Sequence, residues 1–223
     1  MKILCVSDQI DPLVYSDSIK KRYADVDVIL SAGDLPLDYL DFIVSSLNKP
    51  LFFVFGNHHI EELVKDAYED FGCIYIGSKV RREPAAKAKG RGSPPGEDLI
   101  VAGLGGSMRY NRGPNQFTES QMYLEAAKLV PRLLCNRVFH GRFLDILLTH
   151  APPKGIHDRP DRCHWGFKAF LWFIGAFKPR YLVHGHIHLY NFSDVRRTRW
   201  KATEVINAYG HYLIDTVEDS GHE

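Results

Sequence analysis

The chain has 223 residues, of which 45% are hydrophobic and 25% charged, and its formal net charge is +1. These values are ordinary for one globular domain, and the near-neutral charge gives no electrostatic basis for extended nucleic-acid or membrane-surface binding. The four cysteines form no CxxC pair, which argues against a thiolate zinc site. No apolar run reaches the length of a membrane span, so the sequence predicts a cytoplasmic protein in a reducing compartment.

Strands and helices alternate along the first third of the chain. Short continuous apolar runs predict buried strands, and apolar residues at helical spacing predict helices. The predicted strands are Ile3–Val6, Val28–Leu30 and Leu51–Phe55, and the predicted helices are Leu13–Ala24, Leu37–Leu47 and Glu61–Phe71. Continuous apolar strands are typical of a sheet covered on both faces, so the fold class is α/β.

A change of composition follows between residues 81 and 98, where Pro, Gly, Lys and Arg dominate. This segment predicts an exposed loop between a strand near Ile74–Val80 and one at Leu99–Ala102. A loop of this length is either functional or a mobile connection. We expect one domain over residues 1–215, with this loop on its surface, and a polar C-terminal tail over 216–223.

The second half continues the alternation after an irregular stretch over Gly103–Gln116. We predict a helix over Glu119–Val138, interrupted near Pro131, and an aromatic-rich helix over Phe167–Phe177. The predicted strands are Phe143–Leu148, Tyr181–Val183 and short strands up to Ile214.

Five of the predicted strands end in polar residues that can bind metal ions. These residues are Asp8, Asp34, Asn57 with His58, His150, and His186 with His188. Ligands bind at the carboxyl ends of strands in open α/β sheets, so neighbouring strands would bring these residues into one crevice. Carboxylates, an amide oxygen and imidazoles suit divalent first-row metals such as Mn, Fe, Co, Ni or Zn.

The order of these motifs resembles the signature blocks of the calcineurin-like metallophosphoesterases. The matching blocks are Gly33-Asp34, Gly56-Asn57-His58, Thr149-His150 and Gly185-His186-Ile187-His188, and the resemblance spans roughly residues 1 to 210. It implies two mixed β-sheets packed as a sandwich and flanked by helices. It also implies two divalent metal ions, with Mn favoured, whose bound hydroxide hydrolyses a phosphomonoester or phosphodiester.

The resemblance also assigns roles to individual residues. Asp34 would bridge the metals, Asp8 and His188 would bind one, and Asn57, His150 and His186 would bind the other. His58 would bind no metal and would contact the phosphate or protonate the leaving oxygen, as an imidazole can near neutral pH.

The first block departs from the family pattern of Asp-x-His. It reads Asp8-Gln9-Ile10, and isoleucine cannot coordinate a metal. Gln9 and Asp11 carry oxygen atoms nearby, but neither is at the position of the missing histidine. The sequence therefore leaves open whether the protein binds two metals or one.

Two polar segments are candidates for the substrate pocket. His157–Gly166 follows the His150 turn, and Arg109–Asn115 lies in the irregular stretch. Arginine suits phosphate recognition, so Arg109, Arg112 and His164 are substrate candidates, and a solvated, salt-bridged surface is the alternative. His184 is left with a supporting or substrate role.

Three functions compete at this point. The first is a phosphoesterase acting on a small phosphorylated substrate. The second is a catalytically weak module of the same fold that acts as a protein-interaction scaffold, for which the missing histidine is the reason. The third is a nucleic-acid enzyme or binder. The near-neutral charge argues against extended duplex binding, which needs clustered Lys and Arg, but leaves open a nuclease acting on short substrates. The sequence carries no signal of oligomeric state.

Overall fold

A computed structural model describes residues 1–58, 61–84, 98–191 and 193–217, without the side chains of residues 61–65. Thirteen strands are found in the described residues. They are β1 (Lys2–Ser7), β2 (Val28–Ser31), β3 (Leu51–Phe53), β4 (Cys73–Tyr75), β5 (Lys79–Glu83), β6 (Leu99–Leu104), β7 (Ser107–Met108), β8 (Gln116–Phe117), β9 (Ile146–Thr149), β10 (Tyr181–His184), β11 (Arg197–Trp200), β12 (Thr203–Asn207) and β13 (Gly210–Asp215).

Five α-helices and one 3₁₀ turn accompany these strands in the same part of the chain. The helices are α1 (Ile19–Arg22), α2 (Leu37–Leu47), α3 (Glu61–Asp70), α4 (Glu119–His140) and α5 (Lys168–Phe177), and the 3₁₀ turn is Arg162–His164. None of these helices combines the length and the hydrophobicity that crossing a bilayer requires.

The strands form two large mixed sheets. One has the order β13-β1-β2-β3-β4, and the other has the order β11-β12-β10-β9-β6-β5. The inner strands of each sheet run parallel, and β13, β11 and β5 pair antiparallel at the edges. Parallel pairing places the carboxyl ends of neighbouring strands along one rim of each sheet, where ligands bind in α/β proteins.

Three buried clusters show that the molecule has four layers. The central cluster lies between the sheets and includes Ile3, Leu30, Val101 and Leu148. A second cluster packs α1 and α2 on the outer face of the first sheet, and a third packs α4 and α5 on the outer face of the second. The predicted α/β sandwich flanked by helices is confirmed.

The predicted helix over Leu13–Ala24 was wrong for most of its length, because only α1 is helical. Asp11 Oδ1 accepts a hydrogen bond from the Leu13 amide at 2.8 Å, and the Ser16 hydroxyl donates to the Leu13 carbonyl. Side chains that bond to the local backbone compete with the helix, and turns result.

The predicted interruption of α4 at Pro131 was also wrong, since the helix is continuous through it. Proline removes one hydrogen bond to the carbonyl four residues earlier. The carbonyl that loses its partner belongs to Ala127. Both Ala127 and Pro131 are exposed, so water can hydrogen-bond to this carbonyl.

The surface segment predicted over 81–98 begins later than expected. Arg81, Arg82 and Glu83 belong to β5, where they pair with β6. Charged residues are common on edge strands, where they discourage further pairing. Residues 85–97 lie outside the described part of the chain.

Candidate metal centre

The residues predicted to bind metals all follow a strand at one rim of the sandwich. Asp8, Asp34 and Asn57 come after β1, β2 and β3, which are neighbours in the first sheet. His150 comes after β9 and His186 and His188 after β10, which are neighbours in the second. Each sheet therefore supplies three of the six residues.

Hydrogen bonds join the two sets across the gap between the sheets. His150 Nε2 lies 3.2 Å from Asp34 Oδ2 and 3.1 Å from Asn57 Oδ1. The backbone amide of His186 donates to Asp8 Oδ2 at 2.8 Å. Ligand atoms of Asp8, Asp34 and His150 lie within 4.8 Å of one another. This separation is small enough for metal ions to be held among them.

The backbone is strained at three of these positions. Asp8, Asp34 and His186 have positive φ angles of 61°, 55° and 66°. Left-handed conformations of non-glycine residues are costly and concentrate at functional sites. Gly56 is needed for a different reason, because a Cβ there would collide with the carboxylate of Asp34.

Each of the three histidines has one ring nitrogen held by a neighbour. His150 Nδ1 donates to the Ala32 carbonyl at 2.8 Å, and His186 Nε2 donates to the Cys163 carbonyl at 2.7 Å. His188 Nδ1 lies 2.8 Å from the Tyr190 hydroxyl. Metal-binding histidines usually have this arrangement, because the second nitrogen is fixed by an outer partner while the first binds the ion.

Burial and neighbouring charges shift the pKa values of three residues at the rim. Burial raises the pKa of the Asp8 carboxyl. Burial alone would lower the pKa of His150, but the carboxylates of Asp34 and Asp8 outweigh it and raise that pKa to about 9. Burial, followed by the charge of His150, lowers the pKa of His186 to about 3, which keeps that imidazole neutral, as metal binding requires.

This donor set fits divalent first-row metals, since it combines carboxylate, amide and imidazole ligands in a largely buried site. Asn57 is oriented correctly for the purpose. Its Nδ2 donates to the Tyr110 hydroxyl at 3.1 Å, which leaves Oδ1 facing His150.

The half of the centre around His188 is the weaker half. His188 Nε2 is 3.9 Å from Asp8 Oδ1, and the His188 side chain is 42% exposed. Ile10, at the position of the missing histidine, is 43% exposed. Asp11 does not replace it, because its Oδ2 is 2.6 Å from His211 Nδ1 and its Oδ1 binds the Leu13 amide.

The Gln9 side chain is exposed and makes no hydrogen bond within the described residues, so no contact directs its oxygen into the centre. Aromatic rings occupy the neighbourhood of His188 instead. Tyr209 stacks on the His188 ring at a centroid distance of 4.9 Å, and Tyr190 lies edge-on to it at 5.8 Å.

His58 stands at the rim beside the cluster. Its backbone amide donates to Asp34 Oδ1 at 3.2 Å, and the residue is exposed. His58 is the residue directly after Asn57. Its side chain is accessible to a molecule bound over the centre.

Both predicted pocket segments contact residues that are predicted to bind metals, since Tyr110 bonds to Asn57 and the Cys163 carbonyl bonds to His186. Arg162 Nε donates to the Arg109 carbonyl at 3.2 Å, which joins the two segments. The His164 ring lies 5.3 Å from the His186 ring. Arg109 Nη2 bonds to the Gln116 carbonyl and to Gln121 Oε1, whereas Arg112 is exposed and forms no hydrogen bond or ion pair with described residues.

Sequence reasoning missed several supporting residues. Tyr110 lies in a segment that the sequence marked, but no motif indicated its contact with Asn57. The contact of the Cys163 carbonyl with His186 is made by the backbone and has no sequence signal.

His184 Nδ1 donates to the Gly185 carbonyl and its Nε2 lies 2.9 Å from His157 Nδ1. Burial lowers the pKa of His157 to about 4.

The chain resembles known proteins in sequence pattern and in fold. Residues 1–190 match the family described as calcineurin-like phosphoesterase. No curated protein sequence matches the chain significantly.

Two solved structures have a similar fold. The protein TT1561 of Thermus thermophilus has a TM-score of 0.56 at 13% identity, over 93% of this chain and 88% of that one. GAP50, described as the anchor in the inner membrane complex of Plasmodium, has a TM-score of 0.55 at 11% identity, over 93% and 70%.

Proposed function

The chain belongs to the calcineurin-like phosphoesterase family, and we propose that it hydrolyses a phosphomonoester or a phosphodiester with the help of divalent metal ions. The observation that carries this proposal is the convergence of Asp8, Asp34 and His150, whose ligand atoms lie within 4.8 Å of one another. Outer partners that fix one nitrogen of His150 and of His186 support it.

The proposed ligands divide into two sets that share Asp34. Asn57, His150 and His186 form the more complete set, and Asp8 with His188 forms the other. Bound divalent ions supply Lewis acidity, which acidifies water and neutralises phosphoryl charge. We favour Mn²⁺ because oxygen and imidazole ligands predominate and no thiolate is among them.

His58 is proposed to donate a proton to the leaving oxygen. Its backbone bond to Asp34 holds it at the rim, and its exposed side chain is free to meet a substrate. A positioned imidazole contributes about 10²–10⁴-fold to such a step.

The proposed substrate is a small phosphorylated molecule. Arg112 is exposed and forms no hydrogen bond or ion pair with described residues, so its guanidinium can bind a phosphate oxygen, whereas Arg109 is engaged by Gln116 and Gln121. His164 lies near His186 but its Nδ1 is bonded to Asp161. A cytoplasmic location remains a prediction.

The test is metal analysis of protein purified without chelator, together with turnover of aryl phosphate and aryl phosphodiester under added Mn²⁺. Wild type should contain at least one metal per chain and turn over one of these substrates. Asp34→Asn should lose the turnover and the metal bound at this centre, whereas Asp66→Asn on the exposed face of α3 should keep them. A metal-free, inactive wild type would contradict the proposal.

The second candidate is a scaffold with weak or no catalysis. The observation that favours it is the exposed Ile10, for which Asp11 does not substitute because its carboxylate is bonded to His211 and to the Leu13 amide. The similar fold of GAP50, described as an anchor, is compatible with such a role. Metal binding without turnover of any phosphoester would favour this candidate over the enzyme.

A further inference from the structure

A second group of metal-binding side chains lies beside the first centre. Asp161 precedes the 3₁₀ turn Arg162–His164, and Cys163 and His164 belong to it. Cys163 Sγ is 2.7 Å from Asp161 Oδ2, His164 Nδ1 is 2.5 Å from the same oxygen, and Sγ is 3.4 Å from Nδ1. A sulfur, a nitrogen and an oxygen atom, each able to bind a metal ion, therefore lie within 3.4 Å of one another.

One of these separations matches that between two ligands of a tetrahedral zinc ion, and the other two are shorter. Zn²⁺ binds sulfur at about 2.3 Å and nitrogen or oxygen at about 2.0–2.2 Å. Tetrahedral ligands at these bond lengths are roughly 3.3–3.6 Å apart. The Sγ–Nδ1 distance already has this value, and the two distances to Asp161 need to grow by less than about 1 Å.

The backbone of this turn is held by several contacts. The Cys163 carbonyl accepts from His186 Nε2, and the His164 carbonyl accepts from the Arg159 amide at 3.2 Å. Trp165 Nε1 donates to the Pro160 carbonyl at 2.8 Å. A fixed turn lowers the backbone entropy that is lost when the three side chains bind an ion.

We propose that Asp161, Cys163 and His164 form a separate binding site for Zn²⁺ at the mouth of the first centre. Thiolate, imidazole and carboxylate together suit zinc better than Mn²⁺. Three protein ligands leave a fourth position for water or for a group of a bound molecule. The site does not rest on the proposed hydrolysis. It revises the expectation that the absence of a CxxC pair argues against a thiolate zinc site.

Zinc binding displaces the thiol proton of Cys163 and one ring proton of His164 from their present positions. Sγ–H and Nδ1–H both point to Asp161 Oδ2 without the ion. Zn²⁺ replaces both contacts, so the thiol proton is released to solvent and the His164 proton moves to Nε2. One proton is therefore released per zinc ion bound.

Cobalt substitution tests the site, because a cobalt–thiolate bond has a charge-transfer absorption in the near ultraviolet. None of the ligands proposed for the first centre is a cysteine, so this band reports on the new site alone. We expect it in the full chain with added Co²⁺, and we expect Zn²⁺ to remove it. Asp161→Asn should weaken Co²⁺ binding at least about tenfold.

Cysteine variants locate the ligand. Cys163→Ser should abolish the band, whereas Cys135→Ser, the matched change at the exposed cysteine on α4, should retain it. Asp34→Asn should also retain it, which separates this site from the first centre. No band in wild type at saturating Co²⁺, or a band that survives in Cys163→Ser, would overturn the proposal.

Discussion

Two buried histidines of the proposed centre each use one ring nitrogen for a hydrogen bond to a carbonyl and leave the other for an ion. His150 is completely buried, and a carbonyl fixes its Nδ1 while its Nε2 faces Asp34 and Asn57. His186 is held with the opposite nitrogen, since its Nε2 donates to the Cys163 carbonyl. The nitrogens available to an ion are therefore Nε2 of His150 and Nδ1 of His186.

A substitution of His58 tests catalysis without changing a proposed metal ligand. We expect His58→Ala to keep its metal, because no role in coordination is proposed for it, and to lose about 10²–10⁴-fold in turnover, because proton donation is lost. Metal content and kcat measured on the same preparation check this. His140→Ala, at the end of α4, is the control and should match wild type. Full activity of His58→Ala would remove the proposed role.

Ile10 allows a gain-of-function experiment. If this position faces the weaker half of the centre, Ile10→His supplies a fourth protein ligand besides Asp8, His188 and the shared Asp34. We expect affinity for a second Mn²⁺ to rise at least about tenfold, since even outer partners of metal ligands are worth 10–100-fold. Calorimetric titration measures this.

Leu13→His is the matched control for that experiment, because Leu13 is exposed to a similar extent, at 46% against 43% for Ile10. It should leave Mn²⁺ affinity unchanged. Equal affinity in wild type and Ile10→His would mean that the side chain at position 10 does not face the centre.

The proposed ligands lie directly after the ends of strands. The conformation of the turn after each strand sets the direction of the ligand side chain. Gly56 lies between β3 and Asn57, and a Cβ there would collide with the Asp34 carboxylate and lie 2.6 Å from His150 Cε1. The close approach of the β2 and β3 turns therefore requires glycine.

Gly56→Ala should displace Asp34 and His150 and so abolish metal binding, which metal analysis of the folded variant measures. Gly175→Ala in α5 is the control. Its Cβ would be 3.6 Å from Trp200, an ordinary contact, and alanine favours the helix by about 0.5–1 kcal/mol. A metal-replete Gly56→Ala protein would show that the turns can separate without loss of the site.

The sequence predicted those elements whose pattern is decided locally. The strand over Ile3–Val6 and the helix Phe167–Phe177 agree with β1 and α5. It failed at Leu13–Ala24, where side chains of Asp11 and Ser16 bond to nearby backbone, and at Pro131, where exposure of the helix face decides the outcome. Neither effect follows from hydrophobic periodicity.

The site was predictable to the extent that motifs report residue types at strand ends. Asp34, Asn57 and His150 lie together as their positions indicated. The contacts of Tyr110 with Asn57 and of the Cys163 carbonyl with His186 depend on how distant segments meet in space. Such contacts have no fixed sequence spacing and need the structure.

At the scale of the whole molecule, the centre lies where the two sheets face each other. Asp8, Asp34 and Asn57 come from one sheet and the histidines from the other, and below them the sheets share a core that includes Leu30 and Leu148. Because this core does not depend on the ligands, the fold should persist without metal. Bound metal would nevertheless link the two sheets at their upper rim.

Chelation should therefore lower thermal stability without unfolding the protein. An ion present at about 100 times its dissociation constant stabilises the native state by about 2.7 kcal/mol. For a domain of this size that corresponds to a shift in Tm of roughly 5–10 °C. Thermal unfolding with and without chelator measures the shift, which should grow with Mn²⁺ concentration in wild type and vanish in Asp34→Asn. An equal response of the two proteins to chelator would mean that the stabilising ion is bound somewhere other than between the sheets.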